Sequence, residues 1–267
     1  MHKNESVRYL IGVTCLVLFG FTTPKEPSQK DQSVLDKVLE RGLLRVGITA
    51  DYMPFSYYDA DRKSYQGIDI DLAKQLAKDM EVEVEFVPTN RKSLTRDILL
   101  GKFDVAMSGL PRTMKQTLIT NMTTGYFESG KSLLIRQQDK VLIKDLASAN
   151  KPKFTVGVKQ ATTSQKFAEL YLSAAQLIFL STPEDLKEAL KNGVVDVVLT
   201  DNIEAKVLAD MDAELHAVDP YHPLNTEVLA FAMPPGDKKW QEFLNLWVLH
   251  QLQEGEVLRL QEKWVGE

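Results

Sequence analysis

The sequence predicts an α/β protein made of two Rossmann-like lobes joined by two crossing strands. Three observations predict it. Leu100-Gly101-Lys102-Phe103-Asp104-Val105-Ala106-Met107-Ser108 is answered by Leu190-Lys191-Asn192-Gly193-Val194-Val195-Asp196-Val197-Val198-Leu199-Thr200. Gly101 and Gly193, Asp104 and Asp196, and Ser108 and Thr200 keep one constant separation. The openings also echo, because Arg45-Val46-Gly47-Ile48 has the pattern of Thr155-Val156-Gly157-Val158. Finally, strand-like and helix-like segments alternate in each half, the signature of parallel sheet with crossover helices. Two such halves facing each other enclose a cleft, and clefts bind small molecules.

The N-terminus reads as a targeting segment. Lys3 and Arg8 precede an apolar run over residues 10–21, which Thr22-Thr23-Pro24-Lys25 breaks. The run is too short to span a bilayer comfortably, so residues 1–23 are expected to be a signal peptide and 24–32 a polar tether. The three residues before Cys15, Gly12-Val13-Thr14, match a lipidation box poorly. Cleavage near Phe21 leaves a mature chain without cysteine, which excludes disulfides and thiol catalysis and suits an oxidising compartment.

The elements then follow in order. Val34, Leu35, Val38 and Leu39 have helical spacing over residues 33–40, with Gly42 as the stop. Residues 43–48 read as a buried strand, 50–65 as an aromatic loop, and 69–79 as a helix with Ile70, Ala73, Leu76 and Ala77 inward. Val82, Val84 and Phe86 alternate with Glu81, Glu83 and Glu85, a strand with one wet face. A helix over 93–100 and a strand over 104–108 complete the first half. Residues 126–136 are expected to form one long strand leaving the first lobe. The second half reads as strand 154–158, helix 163–173, strand 177–180, helix 183–192, strand 195–200 and helix 202–210. Residues 228–233 are the expected return strand, and helices over 238–252 and 256–264 pack back on the first lobe. The expected division is 33–130 with 230–267 for lobe 1 and 131–229 for lobe 2, with the two crossings as a hinge.

Ligands of parallel α/β sheets bind beyond the carboxyl ends of the strands, and four segments meet that condition. Asp51-Tyr52-Met53-Pro54-Phe55-Ser56-Tyr57 offers aromatic walls, with Tyr52 and Phe55 the ligand candidates. In Ser108-Gly109-Leu110-Pro111-Arg112, small residues expose backbone N–H groups and a hydroxyl to an anion, and Arg112 is a candidate carboxylate clamp. Ala161-Thr162-Thr163-Ser164-Gln165 opens a helix, where hydroxyls and free N–H groups favour an anion; Thr162, Thr163 and Gln165 are candidates, and N-capping alone also explains the threonines. Asp201 in Thr200-Asp201-Asn202 is placed to pair with an ammonium group or to cap a helix. Aromatic walls, an anion seat and a cation seat suit a zwitterionic or carboxylate-bearing small molecule.

Other classes are disfavoured. A formal net charge of −5 with no basic run argues against nucleic acid. His216, His222 and His250 are scattered, which argues against a metal centre. No Gly-x-Ser-x-Gly elbow or phosphate-binding loop appears. Neither cofactor nor metal is expected.

The chain resembles the family 3 periplasmic solute-binding proteins of ABC transporters. Leu43-Leu44-Arg45-Val46-Gly47, Pro54-Phe55-Ser56-Tyr57, Gly67-Ile68-Asp69-Ile70-Asp71-Leu72-Ala73, Phe103-Asp104-Val105-Ala106-Met107-Ser108-Gly109 and Thr200-Asp201 carry the likeness. The resemblance implies the periplasmic binding protein-like II fold, a periplasmic monomer, an amino-acid-like ligand and an ABC permease as partner. Asp51 to Tyr57 and Thr200-Asp201-Asn202-Ile203-Glu204-Ala205 resemble in particular the family's cyclohexadienyl dehydratases, which act on prephenate or arogenate. Three departures matter. Pro111 and Gln116 stand where the family's binding loop has a hydroxyl residue and its carboxylate-holding arginine. Gln165 stands where the dehydratases have a general-acid glutamate, and an amide cannot donate a proton as a carboxylic acid does. Arg91 stands where they have an aromatic residue. Phe55, Ser108, Thr163 and Asp201 are retained, the last as the family's amino-group partner. A solute-binding protein is therefore the leading expectation. A dehydratase-type enzyme with Glu128 or Glu227 as substitute acid is the alternative, and a sensory module for a receptor is a third.

Overall fold

The computed structural model describes residues 32–266. The expected signal peptide, Cys15 and residues 24–31 of the tether lie outside the described residues.

The first sheet orders its strands Glu83–Pro88, Leu43–Ile48, Val105–Ala106, Ala232–Met233 and Asn121–Met122. The first three are parallel, and Ala232–Met233 runs antiparallel to both neighbours. Glu83 and Glu85 project outward from the edge strand while Val84 and Phe86 are half-buried, which explains the alternation. The second sheet repeats this plan with Gln176–Leu180, Thr155–Lys159, Val197–Asp201, Lys131–Arg136 and Leu215–Val218. Again the first three are parallel and Lys131–Arg136 is antiparallel to both neighbours.

The helices begin and end where capping chemistry dictates. Ser33 caps Val34–Arg41, and Gly42 closes it in the left-handed region. Thr162 caps Thr163–Tyr171, and Thr182 forms a capping box ahead of Pro183–Lys191. The C-terminal helices Lys238–Gln253 and Glu256–Val265 return to the first lobe. Buried Trp240 donates from its indole nitrogen to the Asp104 carbonyl at 3.0 Å, and Trp247 donates to Asp79 at 2.8 Å.

The structure departs from the expected strands at both crossings. Residues 126–136 form two strands, Phe127–Ser129 and Lys131–Arg136, rather than one. Gly130 breaks the run because the Asn225 carbonyl lies 1.8 Å from where a Cβ would stand, so only glycine fits. The return strand is likewise split into Glu227–Leu229 and Ala232–Met233. Phe127–Ser129 and Glu227–Leu229 pair as an antiparallel ribbon between the two five-stranded sheets. The aromatic loop over 50–65 is instead a small antiparallel sheet of Asp51–Tyr52, Ser56–Asp59 and Ser64–Gln66. Leu215–Val218, a four-residue strand containing His216, is too short for its periodicity to be read.

Candidate ligand cleft between the lobes

A cavity of about 560 Å³ lies between the carboxyl ends of the two sheets and is lined from both. The first lobe contributes Tyr52, Arg91, Gly109 and Gln116, and the second contributes Lys159, Thr162, Thr163, Gln165, Asp201 and Glu204. Two pairs of side chains close the lobes on each other. The Tyr52 hydroxyl donates to Asp201 Oδ2 at 2.6 Å, and Lys159 Nζ donates to Asp51 Oδ2 at 2.7 Å. Burial works against the Asp51 charge, yet the Lys159 ammonium outweighs it and holds the carboxyl below its ordinary value. Burial and the Asp201 charge push the Tyr52 phenol well up, so it stays protonated and donates.

Asp201 belongs to an ion cluster built around a fully buried lysine. Lys131 has no exposed side-chain surface, and its ammonium bonds to Asp201 Oδ1, to Glu227 Oε2 at 3.0 Å and to Thr163 Oγ1 at 2.7 Å. Thr163 Oγ1 also donates to Glu227 at 3.0 Å. Burial alone would lower the Lys131 pKa; the two carboxylates more than offset it, so the net shift is upward and the cation is kept. Behind Asp201, buried Glu204 accepts a hydrogen bond from Thr200. Desolvation raises the Glu204 pKa to about 7 despite that bond.

The opposite wall is cationic. The Arg91 guanidinium stands 5.4 Å from the Tyr52 ring centroid and donates to the backbone carbonyls of Ser108 at 3.2 Å and Gly109 at 3.5 Å. Its Nε is buried without a hydrogen-bond partner, and no carboxylate forms an ion pair with it among the described residues.

Of the residues singled out from the sequence, Tyr52, Gly109, Thr162, Thr163, Gln165 and Asp201 line the cavity. Phe55 does not: it is fully buried beneath the wall, 5.0 Å from the Tyr52 ring and 5.1 Å from Phe127. Ser108 is also fully buried, where its Oγ accepts from the Thr49 amide at 2.9 Å and contacts the Thr49 hydroxyl. The Gly109 N–H is not free for an anion either, because it donates to Asp69 Oδ2 at 2.5 Å. Asp69 is held in turn by the Tyr126 hydroxyl, and burial raises its pKa to about 7. Arg112 is exposed and outside the lining; its backbone N–H donates to the Val228 carbonyl beside the isolated bridge Pro111–Leu229. Gln165 is engaged on both sides, accepting from the Ala161 amide and donating to Glu169 at 2.8 Å.

Lys131, Glu204 and Lys159 were not singled out as binding residues. Lys131 carried a signal, a lone cation opening the otherwise apolar run Ser132-Leu133-Leu134-Ile135. Glu204 sits four residues after Thr200, a spacing that brings a helix's first turn back to its own strand end.

Two lobes, a pair of crossings and a cleft lined from both sides define a two-lobed ligand-binding protein. The comparisons give the family. Residues 44–267 match the model of the bacterial extracellular solute-binding proteins, family 3, and the chain belongs to that family. It is 29% identical over 262 residues to the cyclohexadienyl dehydratase of Pseudomonas aeruginosa, covering 98% of this chain and 96% of that protein. It is 25% identical over 257 residues to the L-cystine-binding protein TcyJ of Escherichia coli, covering 96% and 94%. Among solved structures, the ancestral amino acid-binding protein AncCDT-1, a precursor of cyclohexadienyl dehydratase, superposes with a TM-score of 0.80 at 33% identity, covering 88% of this chain and 100% of that one. A putative binding component of an ABC transporter from Wolinella succinogenes, complexed with lysine, gives a TM-score of 0.80 at 27% identity, covering 85% and 97%.

Proposed function

We propose that this chain is a periplasmic solute-binding protein that captures a small polar, amino-acid-like or carboxylate-bearing ligand and delivers it to an ABC permease. The observation that carries this reading is the cavity lined by both lobes, with an amide, Gln165, at the position where the dehydratases it resembles carry a general-acid glutamate. Residues 33–130 with 230–267 and residues 131–229 would move as two bodies about the Phe127–Ser129 and Glu227–Leu229 ribbon, releasing and re-forming the Tyr52–Asp201 and Asp51–Lys159 contacts. The binding set is Tyr52, Arg91, Gly109, Thr162, Thr163, Gln165 and Asp201, with Phe55 and Ser108 supporting from beneath. The protein acts as a monomer and is exported by residues 1–23.

A thermal-shift screen against amino acids, dicarboxylates and aromatic precursors tests it. A ligand at one hundred times its Kd stabilises by about 2.7 kcal/mol. No stabilisation by any compound would remove the binding reading.

One observation favours a dehydratase-type enzyme as a second reading. Buried Glu204 lines the cavity, and desolvation raises its pKa to about 7, into the range that suits proton transfer near neutrality. Incubation with prephenate decides it: appearance of phenylpyruvate, abolished by Glu204→Gln, would make the chain an enzyme, and unchanged prephenate would leave it a binding protein.

A further inference from the structure

Resting on the solute-binding reading, we infer that the ligand is an organic carboxylate without an ammonium group, such as a 2-oxo acid or a dicarboxylate, anchored by Arg91. The inference starts from the acidic groups of the cleft. Asp201, Glu204 and Glu169 are the carboxylates that line it. Both oxygens of Asp201 are already engaged, Oδ1 by the Lys131 ammonium and Oδ2 by the Tyr52 hydroxyl. Lys131 is thus a built-in cation, occupying from inside the protein the position a ligand's ammonium would need. Glu204 already accepts from Thr200 and is buried. Glu169 is exposed at the rim and accepts from the Gln165 amide. A ligand ammonium approaching Asp201 would lose its hydration and meet a carboxylate already paired with a buried lysine, which is unfavourable.

The basic groups show the opposite balance. Lys159 pairs with Asp51, but Arg91 has no carboxylate partner among the described residues and keeps a buried Nε without a hydrogen bond. Lys115 and Lys166 also line the cavity from its exposed rim. So a chain of net charge −5 presents a cleft lined by four basic side chains, Arg91, Lys115, Lys159 and Lys166, against three carboxylates. A planar guanidinium held by two backbone carbonyls beside a tyrosine ring is pre-oriented for a carboxylate. The hydroxyls of Thr162 and Thr163 are spent inside the protein, so Arg91 is the anchor rather than the helix start.

Calorimetric titration with matched pairs tests the inference: pyruvate against alanine, 2-oxoglutarate against glutamate, and phenylpyruvate against phenylalanine. In at least one pair the oxo acid is expected to bind ten-fold or more tightly than its amino partner. Arg91→Gln is expected to weaken that binding at least ten-fold, while Arg112→Ala, on the exposed surface, leaves it unchanged; circular dichroism checks that both variants fold. Amino acids binding as tightly as their oxo partners would overturn the inference and leave the solute-binding reading standing. Oxo-acid binding untouched by Arg91→Gln would overturn the assignment of the anchor. Silence from both members of every pair would overturn the inference, and silence in the wider screen as well would remove the solute-binding reading with it.

Discussion

The two lobes are built alike at one end of their sheets and differently at the other. In the first, the Asp104 carboxylate accepts the Arg45 amide at 2.8 Å, and the Asp104 amide returns a bond to the Arg45 carbonyl at 2.9 Å. In the second, Asp196 does the same with Thr155, at 2.9 and 2.8 Å. Each aspartate also meets arginine: Arg41 and Arg45 in one lobe, Arg136 in the other. Each is preceded by a glycine with positive φ, 64° at Gly101 and 71° at Gly193. These ends only close the turn between helix and strand, so the same solution serves twice. At the cleft ends the likeness stops. Ser108 is spent inside its lobe on Thr49, whereas Thr200 bonds Glu204 at the cavity wall. The first lobe's wall carries an unpaired arginine, and the second's carries a carboxylate saturated by a buried lysine. Chain economy explains what the halves share, and ligand chemistry explains where they part.

The largest effect should come from the saturated wall. Lys131→Met strands Asp201 and Glu227 without their buried cation and should cost about 3–5 kcal/mol in urea unfolding. A neutral result would mean the cluster is open to water.

Next is pH, because each lobe holds one buried carboxyl with a pKa near 7, Asp69 in the first and Glu204 in the second. Both are raised from ordinary values, so the stability tied to their protons is fully present below about pH 4 and is lost as pH rises through 7. Each should contribute a decline of about 1 kcal/mol per pH unit in that window. Asp69→Asn and Glu204→Gln should each flatten the slope of ΔG against pH by a similar amount if the two sites are equivalent.

The twin aspartates should differ by burial. Asp104 is 4% exposed and Asp196 31%, so Asp104→Ala should cost about 2–4 kcal/mol and Asp196→Ala about half of that, measured by chemical denaturation.

Gly47 and Gly157 give a finer contrast. A Cβ at Gly47 would stand 2.6 Å from three atoms of the Phe103 ring, but at Gly157 it would meet the end of Leu186 at 2.9 Å and the two Val195 methyls at 3.2 Å. Gly47→Ala should therefore lower stability by about 1–3 kcal/mol, and Gly157→Ala by less than about 1 kcal/mol, since a leucine methyl can turn aside. The smallest contrast is none at all. Gly101 and Gly193 have open space where a Cβ would be, so alanine at either should lose the same ~1–2 kcal/mol of left-handed strain. Unequal losses would show that the repeat is looser than its hydrogen bonds imply.

The sequence by itself determined the two-lobed α/β plan, because a strand must alternate or run apolar, a helix must be capped, and both patterns survive without knowledge of their neighbours. The Gly101–Asp104 and Gly193–Asp196 echo marked the repeat for the same reason: the turn is local. It also marked Tyr52, Thr163 and Asp201 near the cleft, since strand ends in parallel sheets face it. Only the tertiary structure decided who holds whom. Lys131, Glu227 and Asp201 are far apart in the chain, and their charges meet, with the Thr163 hydroxyl beside them, only once the crossings bring them together. The breaks at Gly130 and within residues 228–233 come from the ribbon's approach to Asn225 and its change of sheet, and Arg112 lies outside the cleft, its backbone tied to Val228. Periodicity reports which side of an element is dry; it carries no information on which distant partner fills the space there.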